Sequence, residues 1–247
     1  MQNFVAFFSQ IIPPVQEILI AGPLFLLWAF CGLWLAGWFK AKQGFKTGYT
    51  RKIFHFLIFA SAAVIQTFSS LRVLCLFGAM VSLVIFFALV KGDGHALYEA
   101  IAREKDAPHR SYFIIVPYLA TLVGGIVSNY YFSEMAIVGY LVTGLGDAIA
   151  EPVGTRFGRH EYSVPSFKGV KSSRSAEGSL AVFVASLVAI VLGLLLMGNP
   201  PVFSIMQLWR IAGLAMTCTV IEAVSPHGWD NATLQIVPAF LAYLIFA

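Results

Sequence analysis

The residues best suited to chemistry lie between Thr143 and Ser179, in a polar stretch bounded on both sides by long apolar runs. Two acids open this stretch, Asp147 and Glu151, and their spacing of four places them on one face if the segment is helical. Such a pair suits Mg²⁺, which takes one or two protein carboxylates and completes its shell with water and phosphate oxygens. Acids at a helix end are also common without any metal, so the spacing alone leaves both interpretations open.

Cations and small residues follow the two acids. Lys168, Lys171 and Arg174 are spaced by three, and Ser172 adds a hydroxyl donor. In a helical turn the cations would form one stripe, and in a loop they could surround phosphates from several sides. The stretch lacks GxxxxGK[ST], so it is not a Walker P-loop. The alternative is a basic membrane loop attracted only to anionic lipid headgroups.

The glycines of this stretch suggest close approach of a ligand. Gly146 and Gly154 have no side chain and would admit a ligand against the backbone, and Pro152 predicts that a helix bends or restarts there. Glu177 and Gly178 close the stretch. Glu177 is either a first-turn acid favoured by the helix dipole or a ligand of a metal or ribose.

Further candidates lie outside this stretch. Arg51, Lys52 and His55 open an apolar run, where they could meet a phosphate or lipid headgroup or serve as snorkelling anchors. Glu222 lies near the end of another run, where an acid is costly and tends to be functional. Asp230 and Asn231 precede the last run, as a helix cap or as groups that recognise a base or a lipid hydroxyl. The charged run 103–106 is interpreted as solvated.

The composition determines what kind of protein must position these residues. Of the 247 residues 59% are hydrophobic and 11% charged, against about 25% charged in soluble domains. We therefore predict an all-α, polytopic membrane protein that forms a single domain over residues 1–247, with about seven to eight transmembrane helices. The predicted spans are 18–39, 53–68, 71–90, 111–131, 133–149, 180–197, 205–224 and 232–247.

The positive-inside rule orients these spans. Fourteen of the sixteen Lys and Arg residues fall in connectors on one side, and only Arg72 and Arg210 fall on the other. The basic side is therefore predicted to be cytoplasmic, and residues 143–179 are predicted to form a cytoplasmic nucleotide-binding loop. The Cys and His spacing shows no zinc motif, and no nucleic-acid partner is expected.

Taken in order, these motifs resemble the polyprenol kinase family of CTP-dependent lipid kinases, which includes dolichol kinase, phytol kinase and the yeast-type diacylglycerol kinase. That family is more distantly related to phosphatidate cytidylyltransferases. The residues that carry the resemblance are Arg51-Lys52 with His55, Gly146-Asp147, Gly154, Gly158, Lys168, Lys171, Glu177-Gly178-Ser179, Glu222 and Asp230-Asn231.

The resemblance implies Mg²⁺-dependent transfer of phosphate from CTP to a membrane lipid alcohol, with an isoprenoid alcohol such as phytol, geranylgeraniol or a polyprenol as the expected acceptor. Asp147, with Glu222 or Glu151, would hold Mg²⁺, while Asp147 or Asp230 would accept the alcohol proton. Asn231 would contact the base or ribose. The residues expected to bind the nucleotide or its phosphates are Arg51, Lys52, Gly146, Gly154, Lys168, Lys171, Ser172, Arg174, Glu177, Gly178 and Asn231, and His55 would meet the lipid headgroup.

Other activities remain open on the sequence. A cytidylyltransferase making a CDP-lipid would need the same metal and triphosphate site, and a diacylglycerol kinase would differ only in its acceptor. A membrane transporter is a further alternative, although no broken-helix pair recurs in two halves of the chain. The expected partners are the lipid alcohol, a nucleoside triphosphate and membrane lipids, with a homo-oligomer as a further option.

Overall fold

A computed structural model describes residues 4–199 and 204–247 of the chain. These residues are largely helical, as predicted, with one two-stranded antiparallel hairpin that the sequence did not predict. The chain divides between Arg103 and Glu104 into two compact units, and each is described by itself.

Five helices form the N-terminal unit, and Pro14 is the extended residue directly before the second of them. Gly44 ends that helix in the left-handed conformation, with φ of 68°, which glycine adopts without a steric cost. The helices are α1 (Phe4–Ile11), α2 (Val15–Gln43), α3 (Thr47–Phe68), α4 (Leu71–Lys91) and α5 (Ala96–Glu99).

Close contacts hold the short helix α5 in this unit. A Cβ on Gly37 would lie 2.9 Å from the carbonyl oxygen of Ala96, so α2 approaches α5 where no side chain intervenes. The buried hydroxyl of Thr50 donates to the carbonyl of Ala100 at 2.7 Å. At the other end of α2, Glu17 lies 3.4 Å from Arg72, and both residues are predicted to lie on the side of the membrane that is poor in cations.

The C-terminal unit contains the remaining helices and the hairpin. After a short 3₁₀ turn (Glu104–Asp106), α6 (Tyr112–Phe132) ends at Ser133, whose φ of 50° breaks the helix. The elements that follow are a 3₁₀ turn (Ser133–Met135), α7 (Ala136–Leu141), a π-helical turn (Val142–Asp147), α8 (Ala148–Phe157), β1 (Glu161–Val164), β2 (Ser172–Ser175), α9 (Ala176–Leu196), α10 (Ile205–Val224) and α11 (Asp230–Phe246).

Helix α11 packs in the middle of this unit because small residues let neighbouring backbones approach it. A Cβ on Gly139 of α7 would lie only 2.3 Å from the carbonyl oxygen of Gln235, and one on Gly124 of α6 would lie 2.7 Å from the Gln235 amide nitrogen. Amide side chains complete the contact. Asn231 donates to the Thr121 hydroxyl at 2.8 Å and to the Pro117 carbonyl at 3.2 Å, and buried Gln235 donates to the carbonyls of Asn231 and Thr121. We call Asn231 and Gln235 with these acceptors the amide ladder.

Four helical segments within residues 4–199 and 204–247 are long and apolar enough to cross a membrane, which supports an integral membrane protein. Helices α3 and α10 lie where the spans 53–68 and 205–224 were predicted. Their polar residues make them less apolar than the four candidate membrane-spanning segments. The predicted count of seven to eight spans is therefore not confirmed. The four segments are Val15–Gln43, Leu71–Lys91, Tyr112–Phe157 and Ala176–Leu196, and Asp230–Phe246 is a shorter apolar helix.

The predicted loop at residues 143–179 is mostly ordered secondary structure, which corrects that part of the prediction. It is helical through Phe157, forms the hairpin β1–β2, and enters α9 at Ala176. Leu145, Ile149 and Val153 repeat every four residues and continue an apolar helical face through the polar sequence. Pro152 lies inside α8, and the predicted irregularity occurs earlier, as the widened π-helical turn that ends at Asp147.

Candidate functional site

Arg174, on β2, lies at the centre of the polar end of the C-terminal unit. Its Nε lies 2.7 Å from Oε1 of Glu222, and its Nη2 donates to Oδ2 of Asp230 at 2.9 Å. Its Nη1 donates to the Ser225 carbonyl at 3.1 Å. The side chains of Arg174, Glu222 and Asp230 are 13%, 3% and 14% exposed, so these are desolvated ion pairs. One guanidinium therefore ties the hairpin to the end of α10 and the start of α11.

Asp147 is a further acid near this guanidinium. Burial lowers the pKa of Arg174, but the charges of Asp230, Glu222 and Asp147 outweigh that effect and raise it above its ordinary value. Asp147 is itself buried. We call Asp147, Arg174, Glu222 and Asp230 the Arg174 cluster. Three carboxylates around one cation leave a formal excess of two negative charges when all are ionised, which favours a hard divalent cation.

The hairpin presents Arg174 to the cluster through its register. Tyr162 on β1 is opposite Arg174 on β2, and the Tyr162 hydroxyl lies 2.6 Å from the Ser179 hydroxyl at the start of α9. Burial raises the pKa of the Tyr162 phenol, the hydrogen bond with Ser179 lowers it, and the charge of Glu222 raises it further. Tyr162 was not predicted as a site residue, and nothing in its sequence context distinguishes it from other aromatic residues.

The glycines predicted to admit a ligand have packing roles in the structure. A Cβ on Gly154 would lie 3.0 Å from the Ser175 hydroxyl, and a Cβ on Gly178 would lie 2.9 Å from the carbonyl oxygen of Ala150. A Cβ on Gly146 would lie 3.2 Å from the Ser186 hydroxyl. These glycines bring α8, the hairpin and α9 into close contact, and Ser175 caps α9 by accepting a hydrogen bond from the amide of Gly178.

The lysines of the predicted phosphate site lie on the connection between the two strands. Lys168 has φ of 58°, and its Nζ lies 5.6 Å from the centroid of the Tyr112 ring, which is a cation–π distance. Lys171 is exposed beside Ser172, the first residue of β2. The helical stripe considered for these cations is therefore wrong, and the loop arrangement is the one that the structure shows.

Glu177 lies in the first turn of α9, which confirms the prediction of a first-turn acid. Its Oε2 accepts the backbone amides of Arg159 and His160 at 3.1 and 3.4 Å. Its Oε1 lies 2.7 Å from Nδ1 of His160. An ionised carboxylate can only accept, so Nδ1 carries the proton in this pair. His160 was not predicted as a site residue.

The positions of the acidic side chains limit how many of them could bind one magnesium ion. Within residues 4–199 and 204–247, no group of three or more His, Cys, Asp or Glu side chains is arranged to hold a metal ion. Glu151, a predicted ligand, has its carboxylate 3.9 Å from Nζ of Lys105. A Mg²⁺ ion bound here would have one or two protein carboxylates as ligands, with phosphate oxygens and water as the others.

The remaining predicted residues lie apart from this cluster in the chain or have structural contacts. Arg51, Lys52 and His55 lie in the first turns of α3, in the N-terminal unit, where Lys52 is buried and the His55 ring packs 4.6 Å from the Phe59 ring. The side-chain amide of Asn231 donates twice within the amide ladder. Its predicted contact with a base or ribose remains untested.

A second buried polar pair was missed from the sequence. Asp106 belongs to the run interpreted as solvated. Glu104 and Lys105 are exposed, which agrees with that interpretation, but Arg103 and Asp106 are buried, so it is wrong for these two residues. His227 has its Nε2 3.8 Å from Asp106, donates its backbone amide to the Pro165 carbonyl at 2.8 Å, and packs its ring against Phe113. Charge runs are usually solvated, and only the packing of the later segments over Asp106 reveals that this acid is not.

Comparison with known proteins gives one informative similarity. The chain is 33% identical over 125 residues to a protein described as phytol kinase from Synechocystis sp. (strain ATCC 27184 / PCC 6803 / Kazusa). The match covers 51% of this chain and 50% of that protein, so it spans about half the length of its curated relative. No protein-family model matches the sequence, and no solved structure matches it.

Proposed function

We propose that this protein is a membrane-embedded kinase of the polyprenol kinase type, which transfers the terminal phosphate of a nucleoside triphosphate to an isoprenoid alcohol. The observation that carries the proposal is the Arg174 cluster, which brings together Asp147, Arg174, Glu222 and Asp230 from distant parts of the chain. The similarity to a protein described as phytol kinase supports the class of acceptor. CTP as the donor rests on the resemblance of the motifs.

Phosphoryl transfer depends mainly on positioning and on neutralising phosphate charge. Asp147, with Glu222 or Glu151, would hold Mg²⁺, and the ion would neutralise the phosphates when bound. Lys168 and Lys171 are exposed on the connection between β1 and β2, where they can bind phosphate oxygens.

We propose a role for Arg174 that differs from the direct phosphate contact predicted from the sequence. All three guanidinium nitrogens have acceptors in the protein, two carboxylates and one carbonyl. We therefore assign Arg174 to holding Glu222 and Asp230 in place. A contact with phosphate would require Arg174 to exchange one of these partners.

The test is a transfer assay on the purified protein in detergent. CTP and ATP labelled at the γ-phosphate are offered separately with Mg²⁺ and with phytol, geranylgeraniol, a polyprenol or diacylglycerol, and lipids are separated by chromatography. Label entering a prenyl phosphate supports the proposal and identifies donor and acceptor. Label entering phosphatidate from diacylglycerol, or labelled pyrophosphate released after addition of phosphatidate, overturns it in favour of the other lipid enzymes. No transfer with any acceptor favours a transporter.

A further inference from the structure

An apolar groove of about 560 Å³ runs along the C-terminal unit between the stretch that precedes the hairpin and the helix that follows it. The π-helical turn and α8 form one wall, and α9 forms the other. Its volume lies within the range of small-molecule sites, about 300–1,000 Å³. Aliphatic residues at intervals of four line both walls: Leu145, Ile149, Val153, Leu180, Val184 and Val188.

One end of the groove is polar. Among the residues that line it, Glu177 is the charged one, and it lies in the first turn of α9. Val188 lies eleven residues further along the helix, a distance of about 16 Å at 1.5 Å per residue. Because Nδ1 of His160 donates to Glu177, a neutral His160 ring leaves Nε2 as a hydrogen-bond acceptor. The groove thus combines a long apolar wall with Glu177 at one end, and that carboxylate holds His160 beside it.

This acceptor is separate from the Arg174 cluster. Asp147 lies two residues from both Leu145 and Ile149, which places it on the opposite face of the helix from the groove. A hydroxyl at the polar end of the groove would therefore meet His160 in a binding step that precedes transfer at the cluster.

The shape and polarity of the groove fit an amphiphile with a hydrocarbon chain and one terminal hydroxyl. Leu180, Val184 and Val188 are each at least half exposed, on a helix apolar enough to cross a membrane. Such a groove opens towards lipid and can be entered laterally from the bilayer.

We infer that the groove binds the hydrocarbon tail of the substrate alcohol and that His160, oriented by Glu177, accepts the hydrogen bond of its hydroxyl. This inference rests on the proposed function for the identity of the ligand.

The tail site is tested by photolabelling without nucleotide. A geranylgeraniol analogue bearing a diazirine on its tail is irradiated with the protein in phosphatidylcholine nanodiscs, and labelled peptides are mapped by mass spectrometry. We expect label within residues 145–157 and 180–188, displaced by excess phytol. Val184→Trp should reduce this label at least fivefold, whereas Val220→Trp should not, because Val220 on α10 is equally exposed, at 53% against 54%, but does not line the groove.

The alternative is that the groove contains only bulk bilayer lipid. Label spread over all lipid-facing helices, unaffected by phytol, would overturn the inference without any variant. Label at the groove that persists unchanged in correctly folded Val184→Trp would also overturn it.

The polar end is tested by comparing phytol with its methyl ether as competitors of the label. The ether cannot donate a hydrogen bond to His160, so the wild type should prefer the alcohol by about two- to tenfold, the range for one net hydrogen bond. His160→Phe should remove this preference, and His109→Phe, at another exposed histidine of the same unit, should keep it. An unchanged preference in His160→Phe overturns the role of His160.

These experiments separate the inference from the proposed function because labelling needs no nucleotide. A groove that binds the alcohol in a protein that transfers no phosphate keeps the binding site and rejects the proposed function. An active kinase that is labelled elsewhere rejects the groove and keeps the proposed function.

Discussion

Asp230 and Asn231 are adjacent in the sequence, yet they belong to two different polar regions of the C-terminal unit. Asp230 joins the Arg174 cluster through its ion pair with Arg174, and Asn231 turns into the amide ladder between α11 and α6. The charged side chain lies at the end of the helix, and the neutral amide lies inside the helix interface. Full charges are costly within a membrane, whereas amides can be satisfied by a neighbouring helix.

The comparison shows that a polar dipeptide can serve two purposes one residue apart. The Arg174 cluster combines three carboxylates with one guanidinium, while the amide ladder uses its donors on the carbonyl and hydroxyl groups of the protein itself. We therefore expect changes in the cluster to affect catalysis, and changes in the ladder to affect stability alone.

The largest effect on stability is expected from Arg174→Gln. This change leaves the buried carboxylates of Glu222 and Asp230 without their shared cation, and breaking a buried ion pair costs about 3–5 kcal/mol. Thermal unfolding in detergent should show a clearly lowered Tm. Arg159→Gln, at an exposed position before the hairpin, is the matched control and should unfold near the wild-type temperature. Equal Tm values for the two variants would contradict the desolvated ion pairs.

Asp147→Asn should reduce phosphoryl transfer by about 10²- to 10³-fold, the usual loss when a group that stabilises transition-state charge is removed. The transfer assay measures this loss, and size-exclusion chromatography shows that the variant is folded. Glu161→Gln changes an exposed acid on the hairpin and should retain most of the activity. Activity within a fewfold of wild type in Asp147→Asn would remove this residue from the metal site.

Gly139→Ala tests the helix packing beside the amide ladder. The new methyl would lie 2.3 Å from the carbonyl oxygen of Gln235, so α7 and α11 would have to separate, at a cost of about 1–3 kcal/mol. Gly213→Ala in α10 adds the same methyl where no atom lies within 4 Å. We expect a lowered Tm for the first variant and an unchanged or raised Tm for the second.

The smallest effect is expected from Asn231→Leu, which removes the hydrogen bonds to Thr121 and Pro117. Side-chain hydrogen bonds between membrane helices average about 0.6 kcal/mol, with a maximum near 1.7. The Tm should fall slightly, and the nucleotide KM should not change. A KM raised several-fold would instead support the predicted contact of Asn231 with the base or ribose.

Much of the helical layout follows from the sequence. The runs predicted at 71–90 and 205–224 are the helices Leu71–Lys91 and Ile205–Val224, because apolar runs and their flanking polar residues are local signals. The hairpin was missed because its strands have four residues each and are rich in serine and charge, without the alternation typical of half-buried strands. The acids of the cluster were identified as candidates, but the contact of Arg174 with two of them was not.

The sequence by itself determined the membrane class, the positions of most apolar helices, and which acids and cations are candidates for chemistry, because hydropathy and charge are properties of short segments. Only the tertiary structure decided that Arg174 pairs with Glu222 and Asp230, that Asp106 is buried against His227, and that His160 meets Glu177 at the end of an apolar groove. The separations in sequence range from 17 residues for His160 and Glu177 to more than a hundred for Asp106 and His227. No local pattern specifies such pairs, because they form only when separate helices and the hairpin pack together.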